Sequence, residues 1–215
     1  MSEKLNPESK PGADTRGRLL CAAERLLVER GYAGMSARAV AQSAQVNIAS
    51  ASYHFGSKQG VLEAVVQWRL APMNRARLTR LESVLTNPSH TVEDILYAFL
   101  WPCFETEPDG PVRLLMGRLM AEPTAVVGPV IEETFRDVAK AFVSALEKRL
   151  PDASRESLTR KLSFVVGATS FTLLNKNAAL LAPEDHLDQT FKQLLSFCVQ
   201  GVEASPDDTE LSEEC

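Results

Sequence analysis

Apolar residues recur at spacings of three and four along most of this sequence, and no segment sustains the period-two alternation of a half-buried β-strand. Breaks at glycine, proline and asparagine separate the helical segments. The pattern therefore predicts an all-α fold of about nine helices. The predicted helices cover residues 14–31, 37–43, 48–54, 58–85, 92–104, 112–121, 126–150, 155–181 and 183–203.

Composition and helix spacing divide the chain into four parts. Residues 1–13 are polar and should form a disordered arm, and the acidic residues 204–215 should form a disordered tail. Residues 14–60 should form a small three-helix domain, and residues 61–203 a larger helical domain. No apolar run approaches the roughly 20 residues that span a bilayer, and no secretory signal precedes the first helix. We therefore expect a cytoplasmic protein with no membrane partner.

Charge is distributed unevenly along the chain, whose formal net charge is -5. Residues 1–60 carry eight basic and five acidic side chains, a net charge of +3, which leaves -8 on the remaining residues. A basic first domain on an acidic body is typical of a nucleic-acid-binding protein, although phosphate binding needs a local patch rather than a global charge.

Residues that could carry metal or nucleophilic chemistry are scattered. The four cysteines, Cys21, Cys103, Cys198 and Cys215, form no CxxC pair, which argues against a zinc site or a disulfide framework. We interpret the first three as buried apolar thiols, with a redox role for Cys21 as the alternative. No HExxH, GxSxG, P-loop or dinucleotide-binding motif occurs. We therefore predict that the chain is not an enzyme and has no catalytic residue, metal or cofactor.

Two short helices joined by a tight turn are predicted between Ser36 and His54. Ser36 and Asn47 are favourable N-caps, because their side-chain oxygens accept hydrogen bonds from the free N–H groups of the first helical turn. Residues 44–46 would form the turn between the helices. This arrangement is typical of the helix-turn-helix, whose second helix enters the major groove of DNA.

The segment from Thr15 to Leu62 resembles the N-terminal domain of TetR-family transcriptional regulators. The shared features are Ala22-Ala23, Gly31-Tyr32, Ser36 with Arg38, Ala41, Ala44-x-Val46 and Tyr53-His54-Phe55-Gly56-Ser57-Lys58. The family often has glycine where this chain has Gln45, which adopts a positive φ less readily, so we expect a strained or differently shaped turn. Asn47-Ile48-Ala49 and the segment from Tyr53 to Lys58 also resemble a branch with fatty-acid-responsive repressors of the PsrA type.

The predicted recognition helix carries small and polar side chains that suit the major groove. Ala49 can approach a thymine methyl, and Asn47 and Ser50 can hydrogen-bond to base edges or phosphates. The resemblance implies phosphate contacts for Tyr53 and His54. The predicted DNA-binding residues are Ser36, Arg38, Asn47, Ala49, Ser50, Ser52, Tyr53, His54 and Lys58. The alternative is that Ser50, Ser52 and His54 only form an exposed helix face.

The resemblance also implies that the larger domain binds an effector. The predicted lining residues are Trp68, Tyr97, Trp101, Phe104, Arg113, Met116, Met120, Phe164 and Phe171. Because few charges other than Arg113 and Arg118 interrupt this apolar set, we predict an elongated hydrophobic effector with one acidic group, such as a fatty acid or an acyl-CoA. The alternative is that these residues only fill a core.

The last two long helices are the predicted surface of a homodimer, with internal core packing as the alternative. The predicted interface residues are Phe164, Gly167, Ala168, Phe171, Phe191, Leu194, Leu195 and Cys198. Two such helices from each subunit would form a four-helix bundle, and two-fold symmetry predicts a near-palindromic DNA operator.

Together these features predict a repressor that a small hydrophobic effector releases from its operator by a population shift. One alternative is an effector-free DNA-binding protein of the same fold. Activation is another, since the sign of regulation depends on where the operator lies.

Overall fold

The computed structural model describes residues 11–106, 110–174 and 187–204, and these residues form helices and connecting turns with no β-strand among them. The helices are α1 (Pro11–Gly34), α2 (Ala37–Ala44), α3 (Ile48–Phe55), α4 (Lys58–Leu85), α5 (Val92–Phe104), α6 (Pro111–Met120), α7 (Thr124–Arg149), α8 (Arg155–Leu174) and α9 (Leu187–Glu203). The all-α prediction is therefore confirmed. None of these helices is both long enough and apolar enough to cross a bilayer.

The described residues belong to two compact units. The first runs to Arg69 and also contains Leu114–Ile131, and the second contains Leu70–Arg113 and the chain from Glu132 onward. The boundary expected near residue 60 thus lies inside the first unit. Each unit has its own buried apolar residues.

Helices α1, α2 and α3 form the core of the first unit. Their buried apolar side chains include Leu19, Leu20, Leu26, Leu27, Val40, Ala41, Ala51 and Phe55, and Met35 between α1 and α2 is buried with them. Gly31 interrupts α1 with a φ of 72°, where the sequence predicted the end of this helix. The predicted start of the first helix at residue 14 is wrong, because α1 begins at Pro11. Of the arm predicted over residues 1–13, residues 1–10 lie outside the described residues.

The predicted caps around the helix-turn-helix are confirmed. The Ser36 hydroxyl accepts a hydrogen bond from the Ala39 N–H at 3.1 Å, and the Asn47 side-chain oxygen accepts one from the Ala49 N–H at 2.9 Å. The Ser57 hydroxyl accepts one from the Gly60 N–H at 3.0 Å at the start of α4. Each cap satisfies a backbone donor that its helix leaves free.

Gln45 forms the turn between α2 and α3 in the left-handed conformation, with φ 56° and ψ 46°. It is the one non-glycine residue with a positive φ in the described part of the chain. The Val46 N–H donates back to the Ala41 carbonyl at 3.0 Å, which closes the turn as a Schellman-type helix end. Arg18, on α1, donates from its guanidinium to the carbonyls of Ala44 at 2.6 Å and Gln45 at 3.1 Å. The turn is thus strained, as expected, and is held from α1.

Helix α5 lies at the centre of the second unit. It packs against α9, which in turn packs against α8. Its buried residues are Val92, Ile95, Leu96, Ala98, Phe99, Leu100, Pro102, Cys103 and Phe104. The helix begins with a capping box, in which Thr91 and Asp94 exchange hydrogen bonds between side chain and backbone. The bonds from the Thr91 backbone and hydroxyl hold the pKa of Asp94 below its ordinary value of 3.8.

Several predicted helix ends differ from the structure. Helix α6 begins at Pro111, one residue early, and α7 begins at Thr124, which places Pro129 beyond the first turn. The Val126 N–H donates to the Pro123 carbonyl at 2.9 Å, so the chain enters α7 before the predicted start. The parts of the last two helices predicted over residues 175–181 and 183–186 lie outside the described residues, as do residues 205–215 of the predicted tail.

We expect the Gln45→Gly variant to be more stable than the wild type by up to about 1 kcal/mol. A left-handed conformation costs a non-glycine residue about 1–2 kcal/mol, and glycine avoids this cost. The greater freedom of glycine in the unfolded chain removes roughly 0.5–1 kcal/mol of the stability gained in this way. Urea-induced unfolding followed by circular dichroism measures the difference. Gln42→Gly, at an exposed helical position of α2, is the matched control and should destabilise by about 1 kcal/mol. Equal destabilisation by the two variants would show that the turn is not strained.

Candidate functional site

Helix α3 presents a polar face to solvent and an apolar face to the core. Ala49, Ser52 and Tyr53 are exposed, and the Tyr53 side chain is 86% accessible. Ala51 and Phe55 are buried beneath them. This division follows the helical period, which places residues four apart on the same face. The exposed face therefore contains the side chains predicted to contact DNA.

Two predicted DNA-binding residues also cap helices. Because the side-chain oxygens of Asn47 and Ser36 each accept a backbone hydrogen bond, their orientation is fixed at the start of α3 and α2. The amide nitrogen of Asn47 still has its two N–H donors to offer a base edge or a phosphate. Arg38 is exposed in the first turn of α2, which suits a contact with the DNA backbone.

Ile48 is an exposed residue of α3 that the sequence reasoning did not select. Its side chain is 49% accessible at the first position of the helix, beside Ala49. An exposed apolar side chain at this position can contact a thymine methyl in the major groove. The sequence signal was its position next to the Asn47 cap, since a cap leaves the following residue at the exposed tip of the helix.

Three predicted phosphate-binding residues lie between the end of α3 and the start of α4. The rings of Tyr53 and His54 meet edge to face with centroids 5.4 Å apart. The Lys58 ammonium lies 4.3 Å from the centre of the Tyr32 ring and donates to the Ala33 carbonyl at 3.2 Å. Lys58 thus connects the start of α4 to the end of α1. Ser50 and His54 are half-buried.

Glu122 joins the end of α1 to the residues that follow α6, and the sequence reasoning missed it. Its carboxylate accepts hydrogen bonds from the Tyr32 N–H at 2.8 Å and from the Arg118 Nε at 2.8 Å. A Cβ at Gly31 would overlap the Arg118 guanidinium and the Glu122 carboxylate, so a larger residue would displace both side chains in addition to adopting the positive φ that favours glycine. No local motif signals a contact between residues 90 positions apart.

Burial and hydrogen bonding have opposite effects on the pKa of Glu122. Burial alone would raise its pKa, but hydrogen bonds from Tyr32 and Arg118 and the positive charges of Arg118 and Lys58 outweigh it. The pKa of Glu122 therefore lies below its ordinary value of 4.5. The carboxylate is charged at neutral pH and stabilises the contact between α1 and the chain after α6.

The residues predicted to line an effector pocket fall into separate groups. Trp68, Met116 and Met120 belong to the first unit, where the Arg69 guanidinium covers the Trp68 ring at 3.9 Å and Met120 is exposed. Arg69 also forms a two-pronged ion pair with the buried Glu24. Arg113 is buried in the second unit, where its Nε donates to the Thr106 hydroxyl at 3.1 Å.

Tyr97, Trp101 and Phe104 form one aromatic cluster in the second unit. They lie on one side of α5 and surround Phe191 of α9. The Phe191 ring centroid is 5.4 Å from that of Tyr97, 4.9 Å from that of Trp101 and 5.0 Å from that of Phe104. The structure therefore brings together three of the predicted lining residues and adds Phe191.

Two other predictions need correction. Phe164 and Phe171 are 67% and 57% accessible on α8, so they do not line an interior pocket of the protomer. Phe191, Leu194, Leu195 and Cys198 are buried in the core, because this face of α9 packs against α5 and α8. Within the protomer they therefore follow the alternative of internal core packing. Burial raises the pKa of Cys198 to about 11, which agrees with its interpretation as an apolar thiol.

The exposed apolar surface of α8 and α9 contains the predicted interface residues Phe164 and Phe171, together with two residues that were not predicted, Val166 and Phe197. Phe164, Val166 and Phe171 on α8 and Phe197 on α9 are all exposed, with Phe197 69% accessible. Gly167 is exposed and Ala168 is half-buried, so small residues lie between the aromatic ones. A surface hollow of about 430 Å³ along α9 is lined by Gln189, Lys192, Gln193, Ser196, Phe197 and Gln200. Its single-helix, largely polar wall does not suit an apolar effector.

Comparisons with known families place both parts of the chain in one group of proteins. Residues 19–65 match the family described as bacterial regulatory proteins, tetR family. Residues 97–201 match the family described as the tetracyclin repressor-like C-terminal domain. These matches cover the helix-turn-helix and most of the second unit.

Individual relatives agree with these matches. The chain is 34% identical over 85 residues to the HTH-type transcriptional regulator CymR of Pseudomonas putida, a segment that covers 38% of this chain and 42% of that regulator. The structure is similar to NalD, the secondary repressor of the MexAB-OprM multidrug efflux pump in Pseudomonas aeruginosa, with 18% identity, a TM-score of 0.67 and coverage of 90% and 98%. It is also similar to the fatty acid degradation regulator FadR of Bacillus halodurans, with 14% identity, a TM-score of 0.63 and coverage of 94% and 100%. At these identities the two structures show the fold alone.

We expect Glu122→Gln to lower the free energy of unfolding at pH 7 by about 1–2 kcal/mol, because a charged acceptor of two hydrogen bonds becomes neutral. The folded-state pKa of Glu122 is depressed, so its contribution is complete above the unfolded-state value near 4.5 and is lost as the pH falls through the folded-state value. Urea unfolding of wild type and variant between pH 7 and pH 3.5 should therefore show a difference that shrinks with acid.

The matched control is Glu133→Gln, because Glu133 is 71% exposed in its ion pair with Arg136 and such pairs contribute little. The control should unfold like the wild type across the whole range. A Glu122→Gln difference that does not change with pH would contradict the role of the charge.

Proposed function

Because the chain belongs to the TetR family of bacterial transcriptional regulators, we propose that it is a repressor that binds a near-palindromic operator as a homodimer. A small hydrophobic effector would bind the second unit and release the protein from DNA. The observation that carries the proposal is the exposed polar face of α3, with Ala49, Ser52 and Tyr53 outward and its caps fixed. A cytoplasmic location follows from the proposed access to DNA.

Sequence readout would come from the start of α3. Ala49 and Ile48 can contact thymine methyl groups, and the Asn47 amide can donate to a base edge. Arg38, Tyr53, His54 and Lys58 would contact phosphates on either side of the groove, with Ser36, Ser50 and Ser52 supplying shorter polar contacts. Because α3 has no lysine or arginine of its own, much of the specificity would come from DNA shape and from pairing two half-sites.

The exposed aromatic surface of α8 and α9 supports a homodimer. Phe164, Phe171 and Phe197 are large apolar side chains in contact with solvent in the isolated protomer, and such surfaces usually mark protein interfaces. Gly167 and Ala168 would let helices from two protomers approach closely. Two-fold pairing would then present two α3 helices to successive major grooves, about 34–36 Å apart.

The aromatic cluster around Phe191 supports an apolar effector. Tyr97 and Trp101 retain partial exposure at its edge, where a ligand could stack on their faces. Fatty acids and acyl-CoA esters are the first compounds to test, and membership of the fatty-acid-responsive branch stays a prediction. The alternative of an effector-free regulator predicts DNA binding that ignores every such compound.

The decisive experiment is a mobility-shift titration of the protein against its own upstream DNA, with and without medium- and long-chain fatty acids and their CoA esters. Release by one acyl class would support both the DNA-binding and effector-binding roles. Binding that ignores all of them would retain the regulator and exclude the acyl effectors. A reporter gene placed behind this DNA distinguishes repression from activation.

We expect Tyr53→Ala and Arg38→Ala each to weaken operator binding about tenfold, roughly 1.4 kcal/mol, because each removes a phosphate contact. Phosphate contacts carry no sequence information, so binding to unrelated DNA should weaken by a similar factor. Mobility-shift titrations at one fixed salt concentration measure both effects. Lys140→Ala, which removes an exposed cation of α7, is the control and should bind like the wild type. Unchanged affinity in the Tyr53 and Arg38 variants would place the DNA surface elsewhere.

The double variant Phe164→Asp, Phe171→Asp should be a folded monomer at micromolar concentration. Dimerisation would bury its carboxylates in an apolar interface without a partner of opposite charge, which is unfavourable. Sedimentation velocity measures its mass, and circular dichroism confirms its helices. Its operator affinity should fall as well, because two half-sites are no longer bound together. The control Lys140→Asp places an aspartate at an exposed position of α7, outside the proposed interface helices, and should stay dimeric. A dimeric double variant would exclude α8 as the interface.

A further inference from the structure

A positively charged side chain is buried in the second unit. Arg77 of α4 retains 5% of its accessible surface and the neighbouring Asn74 retains 7%. The Arg77 guanidinium lies over the Phe99 ring at 4.3 Å and 5.6 Å from the centre of the Phe135 ring. Charged side chains are rarely buried to this extent unless a group of opposite charge accompanies them.

The partners of Arg77 are all neutral. Its Nε donates to the Phe99 carbonyl at 2.9 Å, one terminal nitrogen to the Asn74 side-chain oxygen at 3.3 Å, and the other to the Cys103 sulfur at 2.9 Å. Within residues 11–106, 110–174 and 187–204, no ion pair joins Arg77 to a carboxylate. The hydrogen bonds and aromatic faces orient the guanidinium, but they leave its charge uncompensated.

Two other arginines in this chain show the contrast. Arg69 pairs with the buried carboxylate of Glu24, and Arg118 pairs with the buried carboxylate of Glu122. Both arginines are more exposed than Arg77, yet each has an acidic partner. The most deeply buried guanidinium of the three is therefore the one that lacks a carboxylate among the described residues.

We propose that Arg77 binds the carboxylate of a small organic acid with an apolar body, and that this acid is the effector. The inference rests on the proposed effector-released function and deepens it. An arginine has five N–H donors, of which three are used here, so each terminal nitrogen retains one for the ligand. A carboxylate accepts such donors with charge-assisted strength and matches the planar guanidinium in shape.

The surroundings of Arg77 suit an apolar ligand body. The Phe99 and Phe142 rings pack edge to face with centroids 5.0 Å apart, and the Met73 sulfur lies 3.8 Å from the Cys103 sulfur. Met73 is half-buried, and a methionine side chain adapts its shape readily to admit a ligand. The ligand class is thus a monocarboxylate with an alkyl or aryl body rather than a sugar or a cation.

This assignment replaces the arginines selected from the sequence. Arg118 is engaged by Glu122 in the first unit, which leaves it unsuitable as the anchor of an effector in the second. Arg113 donates to the Thr106 hydroxyl at 3.1 Å. Arg77 was not selected because the sequence does not reveal which arginine of a long amphipathic helix faces the core.

A purely structural role for Arg77 makes a different prediction. If its hydrogen bonds stabilise the fold, Arg77→Met must lower the melting temperature. If the Arg77 charge instead binds a ligand, the fold should tolerate an apolar methionine at this position. The Phe99 carbonyl lies within α5, where it can accept a helical hydrogen bond. The Asn74 amide keeps its hydrogen bond to the Thr134 carbonyl at 2.9 Å. Replacement of buried ionic groups by apolar residues is often neutral or stabilising.

The test uses the full-length wild type, Arg77→Met and Arg77→Lys, with Arg80→Met as the matched control. Arg80 lies one turn further along α4 in a half-exposed pair with Glu105. Isothermal titration with hexanoate, decanoate, hexadecanoate and benzoate, each compared with its methyl ester, gives the affinities. Melting curves without ligand give the stability of each variant, and mobility shifts with upstream DNA are run in parallel.

We expect at least one acid to bind the wild type and Arg80→Met at least tenfold more tightly than its ester. Arg77→Met should lose at least tenfold in acid affinity, keep its ester affinity and melt no lower than the wild type, with Arg77→Lys between the two. The proposal is overturned if acids and esters bind alike, if no acid binds, if Arg77→Met retains acid affinity, or if it melts well below the wild type. If the wild type binds its upstream DNA, any of these results would contradict only the role of Arg77 and not the proposed regulator. If the wild type does not bind this DNA, the proposed regulatory function itself would be contradicted.

Discussion

The direction of α3 depends on one left-handed residue. Gln45 reverses the chain after α2 at a φ of 56°, and two hydrogen bonds from Arg18 hold the carbonyls on either side of this reversal. Helix α3 follows this turn directly. A small change in the turn would therefore move every side chain on the exposed polar face of α3 together. The strain at Gln45 is thus compensated by a contact from α1, which lies outside the two helices that the turn joins.

Helix α5 organises the second unit through two opposite faces. One face carries Tyr97, Trp101 and Phe104 against Phe191 of α9, and the other carries Phe99 and Cys103 against Arg77 of α4. The first face packs rings against rings and is partly exposed at Tyr97 and Trp101, whereas the second combines rings with the buried charge of Arg77.

Features that depend on neighbours in sequence were predicted well. The caps at Ser36 and Asn47 follow from side chains that bond to N–H groups two or three residues away, and the helical period located the polar face of α3. Features that depend on distant neighbours were not. Phe164 is followed by two valines and is exposed, whereas Phe191 is followed by a lysine and a glutamine and is buried, because α9 packs against α5 at Phe191. The roles of Glu122 and Arg77 arise only from contacts across many residues.

The accessibility of the thiols has a practical consequence for following this protein in solution. The prediction of a buried thiol is wrong for Cys21, which is exposed on α1, and is confirmed for Cys103 and Cys198. Thiol reagents attack exposed thiolates, so at neutral pH a maleimide dye should react with Cys21 far faster than with either buried cysteine. With Cys215 replaced by serine, each subunit would then carry one fluorophore on the first helix of its DNA-binding unit. The energy transfer between two such dyes in a dimer would report the distance between the α1 helices of the two subunits.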